Sequence, residues 1–157
     1  MNTVTNIVIA GLGGQGVLKA SDVLCDAVFR SGYEIKKSEV HGMSQRGGSV
    51  CSDIRFGREV FSPMVPPGEA DHLVVIAPDQ VEVNRGQLRP NGVLITPEVI
   101  DAMKLTNRKS LNIALLVALS KHLPIAPEQW RAAIQSNFPE KLHEANFQAF
   151  ELGRSIA

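Results

Sequence analysis

The sequence has little of what marks several common protein classes. Its two cysteines, Cys25 and Cys51, stand at unrelated positions, so no disulfide framework is predicted and both read as small buried or half-buried residues. The four histidines do not combine with them at the spacing of a zinc set, and His143 beside Glu144 reads as a solvated pair, so no metal site is predicted. Neither sign of charge is in excess: sixteen basic residues balance sixteen acidic ones, which argues against a nucleic-acid surface. No apolar run is long enough to cross a membrane and no leader pattern opens the chain, so a cytoplasmic protein without membrane contact is expected. A length of 157 residues suits one domain with a full core, spanning 1–157.

What the chain does have is glycine in two pointed arrangements. The apolar run Asn6-Ile7-Val8-Ile9-Ala10 reads as a buried strand and stops at Gly11-Leu12-Gly13-Gly14-Gln15-Gly16. A helix follows, because Val17, Ala20, Leu24, Ala27 and Val28 recur at helical spacing and Gly32 is placed to stop it. In this strand–turn–helix, Gly11 permits the turn, Gly13 lets the backbone approach a ligand, and Gly16 allows helix and strand to pack. The free amides of the first helical turn favour an anion.

The second arrangement is Glu39-Val40-His41-Gly42-Met43-Ser44-Gln45-Arg46-Gly47-Gly48-Ser49-Val50, an ordered loop that runs into a strand. Arg46 stands between potential donors and suits bidentate binding of a carboxylate or phosphate; the alternative is a surface pair with Glu39 or Glu34. His41 reads equally as a hydrogen-bonded loop residue or a catalytic one. A G-x-G-x-x-G turn also raises NAD or FAD. A dinucleotide reader, however, needs an acid at the end of the second strand, where this chain places Lys36 and Lys37, with Glu39 leading straight into the glycines. Two further readings stay open: an E1-like adenylating protein, for which neither an ATP-magnesium acid nor a placed catalytic cysteine is evident, and a stand-alone nucleotide-binding regulatory module.

The remaining pattern alternates strands with helices. Val50, Ser52, Ile54 and Phe56 have the period of a half-buried strand, and Phe56 to Phe61 reads as a tight hairpin into an edge strand ending before Pro63. Leu73 to Ala77 is a buried strand, Asp79 to Leu88 a helix-like segment, and Asn91-Gly92 a turn into the strand Val93 to Thr96, with a short helical stretch through Met103. The helix around Leu111, Leu115 and Leu119 is apolar nearly all round, so either a partner chain or the tail helices must cover it. Pro127 and Pro139 start two final helices, Glu128 to Ser136 and Glu140 to Gly153, with Trp130, Ile134 and Phe138 as packing. The fold class expected is α/β: a three-layer α/β/α Rossmann-like domain, its sheet mostly parallel with a hairpin near one edge.

Taken together, Ile9 to Val17, Ser38 to Val50, Arg55-Phe56-Gly57, Phe61-Ser62-Pro63, Gly68-Glu69-Ala70-Asp71 and the tail Asn146 to Gly153 resemble the gamma-type subunits and domains of 2-oxoacid:ferredoxin oxidoreductases, on the indolepyruvate branch. The resemblance implies an accessory subunit with no activity alone. Other subunits would bind thiamine diphosphate and magnesium, decarboxylate an aryl pyruvate, and pass electrons through iron-sulfur clusters to ferredoxin, with coenzyme A taking the acyl group. Two cysteines cannot supply the four thiolates of a cluster, which agrees with that division of labour. The residues expected to face the shared cofactor region are Gly11, Gly13, Gly14, Gln15, Gly16, His41, Ser44, Gln45, Arg46, Gly47 and Gly48; no catalytic residue is assigned.

Overall fold

A computed structural model describes residues 3–41, 48–100, 104–105 and 110–155. Its strands are β1 (Thr5–Leu12), β2 (Glu34–His41), β3 (Ser49–Gly57), β4 (Ala70–Val75) and β5 (Leu88–Ile95). Its helices are α1 (Val17–Arg30), the short α2 (Val81–Asn84), α3 (Leu111–Ser120), α4 (Pro127–Asn137) and α5 (His143–Ser155). The five strands form one sheet in the order β2-β3-β1-β4-β5. β1, β4 and β5 run parallel, while β3 lies antiparallel to both β1 and β2, so β3 alone points the other way.

Alternation along the strands divides the core between the two faces of this sheet. Ile7, Ile9, Ile54, Phe56, Val74 and Ile95 face the long helices, whereas Val8, Ala10, Leu73 and Val75 face away from them. On the helical side α1 lies over β1, β2 and β3, and α3 lies over β4 and β5; α4 packs outside α1 and α5 outside α3. Among the described residues the opposite face is thinly covered. Val65, from the stretch before β4, is buried there, and Val81 of α2 packs against the same cluster. The α/β architecture with a mostly parallel sheet is therefore as expected, although the third layer is reduced to the strap and the short α2.

Three local expectations are corrected. The chain does not turn back at Gly57 into another strand; the edge hairpin is β2 with β3, and residues 58–69 cross the sheet as a strap. Pro63, Pro66 and Pro67 deny that strap a ladder, while Asp53 and Arg55 pin it: the Val65 amide donates to Asp53 Oδ2 (3.0 Å) and Arg55 to the Ser62 carbonyl (2.9 Å). Burial pushes the Asp53 carboxyl up, against the Val65 amide, which lowers it. The segment expected as one helix before β5 is only α2 between two tight turns. Asn91-Gly92 is not a turn before a strand but lies inside β5, where Asn91 adopts φ 65° and the register with β4 shifts. Of the helical stretch expected through Met103, the turn Pro97–Val99 is described and the end lies outside the described residues.

The all-round apolar α3 is covered by the tail, with α5 across its outer side. Phe150 and Ala149 are fully buried there, as is Trp130 of α4, while Phe147 is half-buried.

One buried group makes the fold sensitive to acid. His72 on β4 is buried, its Nδ1 finds no hydrogen-bond partner among the described residues, and its ring centroid lies 5.8 Å from that of His122. Burial pushes its pKa below the ordinary value; Asp71 opposes the shift, and His122 and Arg89 add to it. In the unfolded chain the imidazole takes its proton near pH 6.5, while the folded state resists until lower pH. Stability is then fully present above about pH 6.5 and is lost as pH falls towards the folded value, by up to about 1.4 kcal/mol per pH unit. Urea midpoints between pH 7.5 and 5 are expected to fall, and His72→Leu to flatten that fall; an equal slope in both proteins would contradict this origin.

Candidate functional site at the glycine edge

The site begins where β1 runs out. Gly11 keeps this turn tight, because a Cβ there would stand 2.9 Å from both Gln15 Oε1 and Val17 Cγ2 and would force those side chains to move. The close approach of strand to helix thus occurs at Gly11, not at Gly16 as the sequence suggests. Gln15 closes the turn internally: its Oε1 accepts the Leu12 amide (2.7 Å), and its own amide donates to the Leu12 carbonyl (3.2 Å). Gly16 caps α1 in the left-handed region, φ 84°, and its carbonyl accepts from the Ala20 amide (2.9 Å) and from Asn112 Nδ2 (3.1 Å). The first intrahelical bond therefore starts at Ala20, and the amides of Val17, Leu18 and Lys19 lie in the open first turn of α1.

The second motif arrives at the same edge. The Gly13 amide donates to the Gly48 carbonyl at 2.8 Å, Leu12 pairs with Ser49, and His41 closes β2 opposite Val50. The described ends of the Arg46 loop thus flank the first glycine turn. Ser44, Gln45, Arg46 and Gly47 lie outside the described residues. Gly14, φ 88°, is exposed on the turn's outer side, and a Cβ there would meet nothing within 4 Å.

This edge is also where the topology reverses. From β1 the chain crosses to the β2 side, whereas from β4 it continues to β5 on the other side, so a crevice opens beyond the ends of β1 and β4. A concavity of about 410 Å³ lies there, lined by Gly14, Gly16, Lys19, Ile76, Asn112 and Phe138. A second of about 430 Å³ lies across the turn, between Gly13, Lys19 and Val50. Beneath them the Ser49 hydroxyl donates to Oε1 of the buried Gln80 (2.9 Å), tying β3 to the turn after β4.

Lys19 borders both concavities, although neither glycine motif contains it. Its ammonium donates to the Asn137 carbonyl (3.1 Å) and sits 5.7 Å from the Phe138 ring centroid. One signal in the sequence could point to it: a cation in the first turn of a helix opposes the macrodipole, so its presence needs another reason. Asn112, about a hundred residues from the turn it holds, has no local signal.

The chemistry on offer is recognition of an anion by open amides and a cation beside apolar walls. Glu39, the nearest acid to the end of β2, is engaged by Lys37 (2.9 Å), which also binds Asp22. Burial works against the charge of Lys37, but those two carboxylates hold its pKa above the ordinary value. Glu39 is thus not placed as the ribose acid of a dinucleotide reader. The cysteines do not fit a cluster: Cys25 packs on the helical side of the sheet and Cys51 on the other, and burial pushes both thiols up to about 12. Among the described residues no group of three His, Cys, Asp or Glu side chains is placed to hold a metal, and no helix is long and apolar enough to cross a membrane.

Comparison with known proteins agrees across nearly the whole chain. The family model for pyruvate ferredoxin/flavodoxin oxidoreductase matches residues 6–156. Indolepyruvate oxidoreductase subunit IorB of Thermococcus kodakarensis is 36% identical over 192 aligned positions, covering 97% of this chain and 95% of the relative. That alignment is longer than the chain, so the relative carries segments with no counterpart here. Among solved structures, the gamma subunit of a keto/oxoacid ferredoxin oxidoreductase from Geobacter sulfurreducens superposes with TM-score 0.74 at 22% identity, covering 98% of each chain. The 2-oxoglutarate:ferredoxin oxidoreductase of Magnetococcus marinus, with 2-oxoglutarate, coenzyme A and succinyl-CoA bound, gives TM-score 0.80 at 20% identity. It covers all of this chain, which matches 31% of that longer one. Both likenesses are of fold.

Proposed function

The chain belongs to the pyruvate ferredoxin/flavodoxin oxidoreductase family, and from that premise we propose that it is an accessory subunit of a 2-oxoacid:ferredoxin oxidoreductase acting on indolepyruvate or another aryl pyruvate. The observation that carries the reading is the bond from the Gly13 amide to the Gly48 carbonyl, which joins the two glycine motifs at the crevice of the sheet. In this reading the chain is one domain that does not perform the oxidation itself. Thiamine diphosphate, magnesium and the iron-sulfur clusters belong to partner subunits, through which ferredoxin is reduced in the cytoplasm.

The chain's own contribution is to receive the anionic end of coenzyme A. The open amides of α1 and the Lys19 ammonium suit phosphate oxygens, while Ile76, Leu111 and Phe138 give an apolar wall beside them. Arg46 adds a guanidinium suited to bidentate binding of phosphate or of the substrate carboxylate. Thiamine diphosphate, when bound by the partner, supplies the carbanion chemistry of decarboxylation.

Arg46→Ala in the assembled enzyme tests the role of the edge. A lost charge-assisted bond of about 1.5–3 kcal/mol corresponds to roughly a ten- to hundredfold fall in kcat/KM for coenzyme A or the oxoacid. Circular dichroism and the urea midpoint should stay at wild-type values. Unchanged kinetics in a folded variant would remove Arg46 from the site. Titration of the isolated chain with NAD, FAD and ATP examines the competing reading; tight binding of any one would favour a nucleotide module.

A further inference from the structure

We propose that the free edge of β2 joins two copies of this chain, strand to strand and antiparallel, about a two-fold axis at Ser38. Among the described residues the sheet has two edges, β2 and β5. β5 is unfit for pairing: Pro90 has no amide hydrogen, Asn91 takes φ 65°, and the ladder to β4 shifts register there. β2 is the opposite case. Its eight residues contain neither proline nor glycine, and its inner side is paired with β3 without interruption from Glu34 to His41.

A regular edge strand invites another strand, and the side chains decide which. Two copies related by a perpendicular two-fold must set residues of the same face opposite each other. With Ser38 opposite Ser38, each Lys37 stands opposite the second copy's Glu39, and each Lys36 opposite the second copy's Val40. The first pairing sets the Lys37–Glu39 pair that each chain already forms (2.9 Å) against that of the second copy, with opposite charges facing across the axis and no like charges opposed. The second lays a lysine stem along Val40, which is 55% exposed in the single chain. The small hydroxymethyl groups at the axis leave room for close approach.

The helix above the edge supports the same partner. Asp22, Cys25 and Phe29 lie on one stripe of α1, and Asp22 reaches Lys37 on β2, so the stripe leans towards the β2 side. Phe29 on that stripe is 69% exposed, a large ring left bare beside an unpaired strand. A second copy would bring its own α1 to the other side of the new ladder and cover both rings. The interface is isologous and closes on itself, so it ends at two copies. It does not depend on what the glycine edge binds.

Crosslinking tests both the partner and the register. Opposed Cβ atoms across an antiparallel pair are about 4.5–5.5 Å apart, within reach of a disulfide after small adjustment. Ser38→Cys in the full chain, alone and in its purified assembly, is expected to form a disulfide-linked dimer under mild oxidation. Lys36→Cys alone should not, whereas a mixture of Lys36→Cys and Val40→Cys chains should. Cys25 and Cys51, with thiols raised to about 12, compete poorly. Light scattering should give twice the 17.0 kDa chain mass, and Glu39→Lys, which sets lysine against lysine, should weaken dimerisation about tenfold or more with an unchanged far-UV spectrum. A monomer at every concentration, a Ser38→Cys chain that crosslinks no faster than Lys36→Cys, or crosslinking of Ser38→Cys to a different polypeptide would each overturn the proposal.

Discussion

Gly16→Ala is expected to cost about 3 kcal/mol of stability and to depress the activity of the assembled enzyme even where the chain still folds. Two causes add. Gly16 holds φ 84°, which an L side chain adopts at a cost of roughly 1–2 kcal/mol. A Cβ there would also fall 2.5 Å from Asn112 Nδ2, displacing the amide that donates to the Gly16 carbonyl and links the turn to α3. Crowding of that kind costs about 1–3 kcal/mol. Gly14→Ala separates the two causes, because Gly14 has φ 88° but nothing within 4 Å. It should lose only the backbone part, about 1–2 kcal/mol. Urea midpoints for the pair check this, and equal losses would mean that the Asn112 contact is of no consequence.

Gly153→Val should be strongly destabilising, on the order of 3 kcal/mol or more. A Cβ at Gly153 would lie 2.5 Å from the Ala114 carbonyl oxygen and 2.9 Å from Val117 Cβ, both on α3. The first of these is backbone inside a helix that is buried along nearly all its length, so it cannot give way. α5 must lift, and with it Phe150 and Ala149 leave the core. A guanidinium midpoint near wild type would show that α5 adjusts without cost and contradict the packing described.

These two glycines also show where a sequence is legible and where it is not. Gly11 to Gly16 announce a turn because a glycine cluster between an apolar strand and an amphipathic helix has few other uses. Gly153 reads as a helix stop, yet α5 continues to Ser155; nothing local distinguishes a stop from a contact with a helix some forty residues earlier. The strand–helix alternation is legible from periodicity, and so is the burial of Trp130 and α3. The hairpin partner is not, because the alternation of β2 is broken by two lysines and the strap after β3 opens on Val60-Phe61, residue types that favour a strand. Pro63, Pro66 and Pro67 exclude a ladder beyond Phe61, and what places the strap is tertiary: Asp53 and Arg55 reach across to hold it. The candidate site is visible as two motifs, but their meeting through Gly13 and Gly48, and the presence of Lys19, Gln80 and Asn112 around them, depends on the order of strands.

A chain that works as a subunit brings its partners with it. Anaerobic affinity purification of the tagged chain from its own cells tests it most directly, with the eluate assayed for iron, thiamine diphosphate and ferredoxin-linked oxidation of indolepyruvate, pyruvate and 2-oxoglutarate. The expected result is co-purification of a larger partner carrying those cofactors, with coenzyme A-dependent activity highest on indolepyruvate. A chain that elutes without partner, iron or thiamine diphosphate would contradict the account.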